Sequence, residues 1–315
     1  MRVLIYGAGI IGGSIAKALV LQGFEVFCIN RTPLVFDGIK FFQSTQKLPN
    51  IHFDIICVAV PRGKNYEIYQ EAFGQIKNLS YNFIVDCSSV QNQNEYLRGY
   101  FCGKFVPCHP IAGSEKVGFE NSDSKILEGK SCIVIGANPP QEVVNFWHAC
   151  KMETRIIATT KQHDEIYAAV SHLPQLISFF LPEPREPYTE FYRLKNSSRG
   201  IWDEIFVHNY NNIAPLFDKC YRFISWRDND GFENLVGNMF LACTHRECIK
   251  LSGTGFKTIT MFSDDDDEWA EWMRGCNYLD DDEDKNIVRL RQILEDALQY
   301  LVKLRQSHKT SSITL

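Results

Sequence analysis

The chain has 315 residues, 45% hydrophobic and 23% charged, an ordinary globular composition with length enough for roughly two domains. A net charge of −5 and an isoelectric point near 5.9 leave no basic field to recruit nucleic acid. No apolar run reaches membrane-spanning length, and eleven scattered cysteines without C-x-x-C spacing exclude a disulfide frame and a zinc site. The cysteines read as small core residues in a reducing compartment, and the N-terminus shows no signal-peptide pattern. The expected location is cytoplasmic.

Residues 2–6 form a short apolar strand. Gly7-Ala8-Gly9-Ile10-Ile11-Gly12 follows, and apolar residues then recur at helical spacing to Leu21. This is G-x-G-x-x-G between a strand and a helix, the setting in which the motif binds a dinucleotide. Gly7 permits the tight turn, Gly9 lets backbone approach a pyrophosphate, and Gly12 lets helix and strand pack closely. The first helical residues, Ile10 and Ile11, bring N–H groups and the positive dipole end. Residues 25–29 make the second strand. At its tip, where NAD-binding proteins place an acid, stand Asn30, Arg31 and Thr32. A carboxylate repels a 2′-phosphate, whereas these three donate to it, so NADP is expected over NAD.

Further strands are expected over 54–60, 82–86, 105–109, 132–135 and 154–158, with helices over 66–76 and 139–150 between them. Strands alternating with helices argue a parallel, doubly wound sheet. The run Phe105–Cys108 delivers His109 to a strand tip, where Pro110 ends the hydrogen bonding. Histidine there is a candidate general base. From Gln162 onward apolar spacing becomes helical, with His172 and Gln175 three apart and Pro174 bending the helix between them. Helices are expected over 188–193, 200–225, 232–251 and 285–305. The stripe Ile287, Leu290, Leu294, Leu298 and Leu301 suits either a subunit interface or the chain's own core, and a homodimer is expected. The acidic runs 264–268 and 280–284 read as solvated loops. The fold class is thus α/β, an N-terminal Rossmann-type domain over 1–160 followed by an all-helical domain over 161–315 for substrate binding and dimerisation.

Several stretches together resemble the TyrA family of prephenate and arogenate dehydrogenases: the glycine motif, Val85-Asp86-Cys87-Ser88-Ser89-Val90-Gln91, His109-Pro110-Ile111-Ala112-Gly113-Ser114-Glu115, and His163-Asp164 leading to Ser171-His172-Leu173-Pro174. The resemblance implies an oxidative decarboxylation of prephenate or arogenate in tyrosine biosynthesis, which the residues at the second strand's tip make NADP-dependent. It implies that His109 takes the hydroxyl proton of the substrate ring and that Ser89 bridges His109, hydroxyl and nicotinamide. His172 matches the first substrate-domain histidine, and Gln175 stands where many members have a second. The family's Thr-Arg…Trp…Asn segment lies without a gap on Tyr192-Arg193, Trp202 and Asn209, making Arg193 the carboxylate anchor. Residues 253–260 with Trp269 beyond also resemble that segment and are the alternative place for the anchor. The competing expectations are a non-catalytic NADP-binding sensor and another NADP-dependent reductase of the same two-domain plan.

Overall fold

The computed structural model describes residues 1–63, 66–113, 116–181, 194–225 and 283–308. The expected helices over 188–193 and 232–251, the acidic run 264–268, residues 280–282 of the second acidic run, Arg193 and the stretch 253–269 lie outside them, while Glu283 and Asp284 of that second run begin the last helix. The chain divides into two compact units, one from Met1 to His163 and one beginning at Asp164.

Six strands of the first unit form one parallel sheet: β1 (Arg2–Tyr6), β2 (Glu25–Ile29), β3 (Ile39–Phe42), β4 (His52–Val58), β5 (Ser80–Asp86) and β6 (Phe105–Val106). Their order is β3-β2-β1-β4-β5-β6, so the direction of winding reverses between β1 and β4. Open sheets bind ligands outside the carboxyl ends of the strands at that point. Side chains alternate faces along a strand, so Val3 and Ile5 enter one apolar layer and Leu4 and Tyr6 the other. The first layer is closed by α1 (Ile10–Leu21) and α4 (Gln141–Ala149), the second by α2 (Glu67–Ile76) and α3 (Asn94–Tyr100). Burial on both faces is why these strands read as unbroken apolar runs.

The strand carrying His109 departs from the expectation. Phe105 and Val106 pair with β5, but the run breaks at Pro107, which has no N–H for the ladder. The chain re-forms as β7 (Cys108–Pro110), pairing antiparallel with β8 (Ser131–Ile135), itself parallel to β9 (Glu153–Ile157). His109 therefore sits inside a short strand of a second, three-stranded sheet, opposite Ile133. Pairing continues past Pro110, because the Ile111 N–H donates to the Ser131 carbonyl at 2.8 Å.

Helix α5 (Thr160–Tyr167) carries the division between the units. It runs into a π-helical turn, Ala168–His172, and then α6 (Leu173–Ser178), with Pro174 in its first turn. The bend expected from Pro174 is taken up by that widened turn, a form enriched at functional sites. The helix expected over 200–225 is two, α7 (Arg199–His208) and α8 (Tyr210–Ser225), parted at Asn209. The last described helix is α9 (Glu283–Ser307), whose Leu290, Leu294 and Leu301 are buried against Leu173, Leu176, Phe206 and Phe217. Leu290, Leu294 and Leu301 of the stripe thus pack into their own unit's core. No described helix is long and apolar enough to cross a membrane.

Candidate active site

The glycine motif forms a cradle above β1. Gly7 has φ +101°, and its N–H donates to the Ile29 carbonyl, so the turn is tied to the tip of β2. A Cβ on Gly7 would lie 2.5 Å from Val60 Cγ1, and one on Gly12 would lie 2.0 Å from the Gly7 carbonyl oxygen. Gly9 differs: a Cβ there meets nothing within 4 Å. It is the N-cap of α1, and no side chain caps that end. Uncapped helix N–H groups beside open space fit a pyrophosphate, so Gly7, Gly9, Ile10, Ile11 and Gly12 form an arrangement able to hold one. At the β2 tip the Asn30 side chain donates to the Thr32 carbonyl at 2.9 Å, leaving Arg31 and Thr32 exposed on a fixed turn.

The tips of β4 and β5 lead into a buried polar network. Arg62, 5% exposed, donates to Ser88 Oγ at 2.6 Å, to the carbonyl and side-chain oxygens of Asn92 at 2.7 Å, and to Asn94 Oδ1 at 3.0 Å. Ser88 passes its own hydrogen to the Val90 carbonyl. Asp86 accepts from the Cys108 N–H at 2.9 Å, from Tyr69 OH at 2.7 Å and from Asn94. Burial pushes the Asp86 carboxyl above its ordinary range, and the Arg62 charge followed by these donors pulls against that shift. The Gln91 amide donates both to the Ser88 carbonyl and to the Cys108 carbonyl, at 2.5 and 3.0 Å. One side chain thereby ties the residue before Ser89 to the residue before His109. Ser89 is half-buried, and its hydroxyl makes no hydrogen bond among the described residues.

His109 Nδ1 lies 2.9 Å from Nε2 of His163, with the rings edge-on at 63°. Burial, then the neighbouring His163, hold His109 well below the ordinary imidazole value. Burial, then the Arg62 charge, pull His163 down to about 3. Both rings are neutral at pH 7, the state in which His109 accepts a proton. In the sequence His163 stands only inside a motif, with nothing to mark its role. Arg62, Asp86 and Gln91 carry no spacing signal, although Asp86 and Gln91 bound the motif that holds Ser89.

In the second unit His172 is buried, and its Nδ1 accepts from the Asn209 side-chain amide at 2.9 Å. The same amide nitrogen donates to the Asp164 carbonyl at 2.9 Å. Trp202 stands edge-on to His172, with centroids 6.2 Å apart. His172 of the Ser-His-Leu-Pro motif and Trp202 and Asn209 of the other family segment are thus brought together. Gln175 turns elsewhere: its Nε2 donates to the Leu194 carbonyl at 2.6 Å and to Ser178 Oγ at 3.3 Å, and its Oε1 is buried without a partner among the described residues.

Residues 38–152 match the model of the prephenate dehydrogenase nucleotide-binding domain. A prephenate dehydrogenase of Lactococcus lactis is 26% identical over 272 residues, covering 74% of each chain. A cyclohexadienyl dehydrogenase of Zymomonas mobilis is 20% identical over 254 residues, covering 69% of this chain and 84% of its own. Among solved structures, the prephenate dehydrogenase of Aquifex aeolicus in complex with hydroxyphenyl propionate and NAD+ superposes with a TM-score of 0.62 at 22% identity, covering 81% of this chain and 98% of that one. Together with the glycine, serine–glutamine and His-Pro motifs, these matches make the chain similar to prephenate and cyclohexadienyl dehydrogenases, the family model itself covering residues 38–152.

Proposed function

We propose that the chain carries out the oxidative decarboxylation of prephenate or arogenate, with NADP as the hydride acceptor, in tyrosine biosynthesis. The observation that carries this reading is the His109 imidazole: buried, neutral, and held next to the Ser88–Ser89 loop by Gln91. A neutral buried imidazole suits removal of a hydroxyl proton at neutral pH, a role commonly worth ~10²–10⁴-fold in rate. His109 takes the ring hydroxyl proton as that carbon becomes a carbonyl. It returns the proton to the same oxygen when the ring carboxylate leaves as CO2 and the ring becomes aromatic. Ser89, whose hydroxyl is not spent on the protein, aligns the substrate hydroxyl. His172 and Arg193 bind carboxylates, Arg193 through its two-pronged guanidinium. Gln175 spends its amide hydrogens on the Leu194 carbonyl and Ser178 Oγ, so it offers substrate an acceptor oxygen only. The nicotinamide, when bound, supplies the hydride acceptor. Residues 1–160 hold the dinucleotide on the glycine cradle, and residues 161–315 contribute the substrate anchors.

Arg31 and Thr32, exposed beyond a turn that offers no carboxylate in Asn30-Arg31-Thr32, favour NADP through its 2′-phosphate. The Aquifex protein was solved with NAD+, so the test runs both cofactors. The experiment is absorbance of reduced nicotinamide formed from prephenate and from arogenate, with NADP+ and NAD+, for the wild type and His109→Asn. Turnover of one substrate with NADP+, lost in the variant, is the expected outcome. Tight NADPH binding without turnover of either substrate overturns the enzyme reading in favour of a sensor.

A further inference from the structure

The buried imidazole that the proposed reaction does not consume is His163. It is fully buried, stands at 0% exposure, and places Nε2 2.9 Å from His109 Nδ1. Two neutral imidazoles at that distance share one hydrogen, which either ring can own. When His109 owns it, the hydrogen is on Nδ1, and the lone pair on Nε2 is available as a base. When His163 owns it, His109 carries its hydrogen on Nε2 and cannot accept there. The choice of owner is therefore the choice between a competent and an incompetent base.

We propose that His163 is a positioning residue: by accepting the Nδ1 hydrogen of His109 it fixes the tautomer and ring orientation that turn His109 Nε2 over to the substrate hydroxyl. Several observations converge on it. The backbone preceding His109 is held through the Cys108 N–H to Asp86 and the Cys108 carbonyl to Gln91, and His163 acts on the ring that this backbone presents. His163 is set on α5 by its own N–H donating to the Thr159 carbonyl at 3.1 Å. Arg62 supports the assignment, because its positive charge disfavours a second proton on His163 and so keeps the acquired charge on His109. The proton taken at Nε2 then stays next to the oxygen that must receive it back. Orienting groups of this kind act through the ring they hold, and loss of the correct tautomer in serine proteases costs about 10⁴-fold.

The inference rests on the dehydrogenase reading for the identity of the proton, so its test has an arm that needs no turnover. Nitrogen-15 NMR of labelled histidines in the full chain with NADP+ reports which nitrogen of His109 carries hydrogen. The expected result is hydrogen on Nδ1 in the wild type and a mixture of tautomers in His163→Leu. In the kinetic arm, His163→Leu loses about 100-fold in kcat with KM and NADP+ affinity within about twofold, and His163→Gln, whose amide oxygen can accept the same hydrogen, regains about tenfold. An Nε2 tautomer in the wild type, or an unchanged Nδ1 tautomer in folded His163→Leu, overturns the proposal. So does a His163→Gln variant no better than His163→Leu. If the wild type turns over neither substrate, the NMR result still decides the positioning claim, while the dehydrogenase reading fails by itself.

Discussion

Gly9 and Gly12 lie three residues apart in the same motif, yet the structure separates what each does. An alanine at 12 places its methyl 2.0 Å from the Gly7 carbonyl oxygen and 3.0 Å from Ala59 Cβ, both on half-buried chain. The helix must withdraw by about 1 Å, and overpacking of this kind costs roughly 1–3 kcal/mol. For a unit of this size that is a fall in Tm of about 3–10 °C. An alanine at 9 meets nothing within 4 Å, and its φ of −82° is one any residue adopts. Gly9→Ala should therefore melt within about 0.5 kcal/mol of the wild type. Its methyl, however, occupies the space into which the phosphates must come, so NADPH affinity should fall at least about tenfold, or about 1.4 kcal/mol. Thermal melting without cofactor and NADPH fluorescence titration measure the two effects separately. If Gly9→Ala binds NADPH like the wild type, or melts as low as Gly12→Ala, the assignment of the open side of the cradle to phosphate is wrong.

Two further outcomes follow from buried groups. His109 and His163 bind fewer protons folded than unfolded, because both values are depressed, His163 to about 3. Their contribution to stability is full above the unfolded value of about 6.5 and is lost as pH falls from there, by up to about 1.4 kcal/mol per pH unit for each ring. Urea denaturation at several pH values should show the wild type weakening more steeply below pH ~6.5 than His163→Gln, and parallel profiles would contradict it. Comparing the two cancels Asp86, whose raised value acts in the opposite direction. In the second unit, Asn209→Ala removes the donor to both His172 Nδ1 and the Asp164 carbonyl. It should cost about 1–3 kcal/mol and raise KM for substrate more than for NADP+; unchanged substrate KM would detach His172 from substrate binding.

What was legible in the sequence was local. The glycine turn, the apolar strands and the helices of both units each advertise themselves within a dozen residues, by period and by turn chemistry. Edge strand β3, only four residues long with one buried side chain, gives no such pattern. Asn209 reads as an interior residue of one long helix, because its reason for ending α7 lies in His172 and Asp164, 37 and 45 residues away. The same distance problem hid His163, whose partner is 54 residues earlier. Side-chain pairs of that separation have no periodicity to betray them, and a shared family pattern brought Trp202 and Asn209 into view where spacing could not.

The misjudged strand is the most instructive case, since the break at Pro107 is what builds the site. Continuing β6 through His109 would have held Cys108 and His109 by ladder bonds to β5. Pro107 withholds a donor, the chain leaves the sheet, and side chains take over the backbone of Cys108. Asp86 accepts its N–H, Gln91 donates to its carbonyl, and the indole of Trp147 donates to its sulfur at 3.3 Å. Burying Asp86 for this purpose is unfavourable, as its raised carboxyl value shows, and it is tolerated because Tyr69, Asn94 and the nearby Arg62 charge compensate. A ladder would fix the histidine's backbone equally well, but it would fix it at the edge of β5, in line with the parallel sheet. Handing Cys108 to side chains instead lets β7 turn into the second sheet and set His109 against His163, so the polar network and the base are one construction. Arg62 joins its two halves, bonded to Ser88 at one end and biasing His163 by charge at the other.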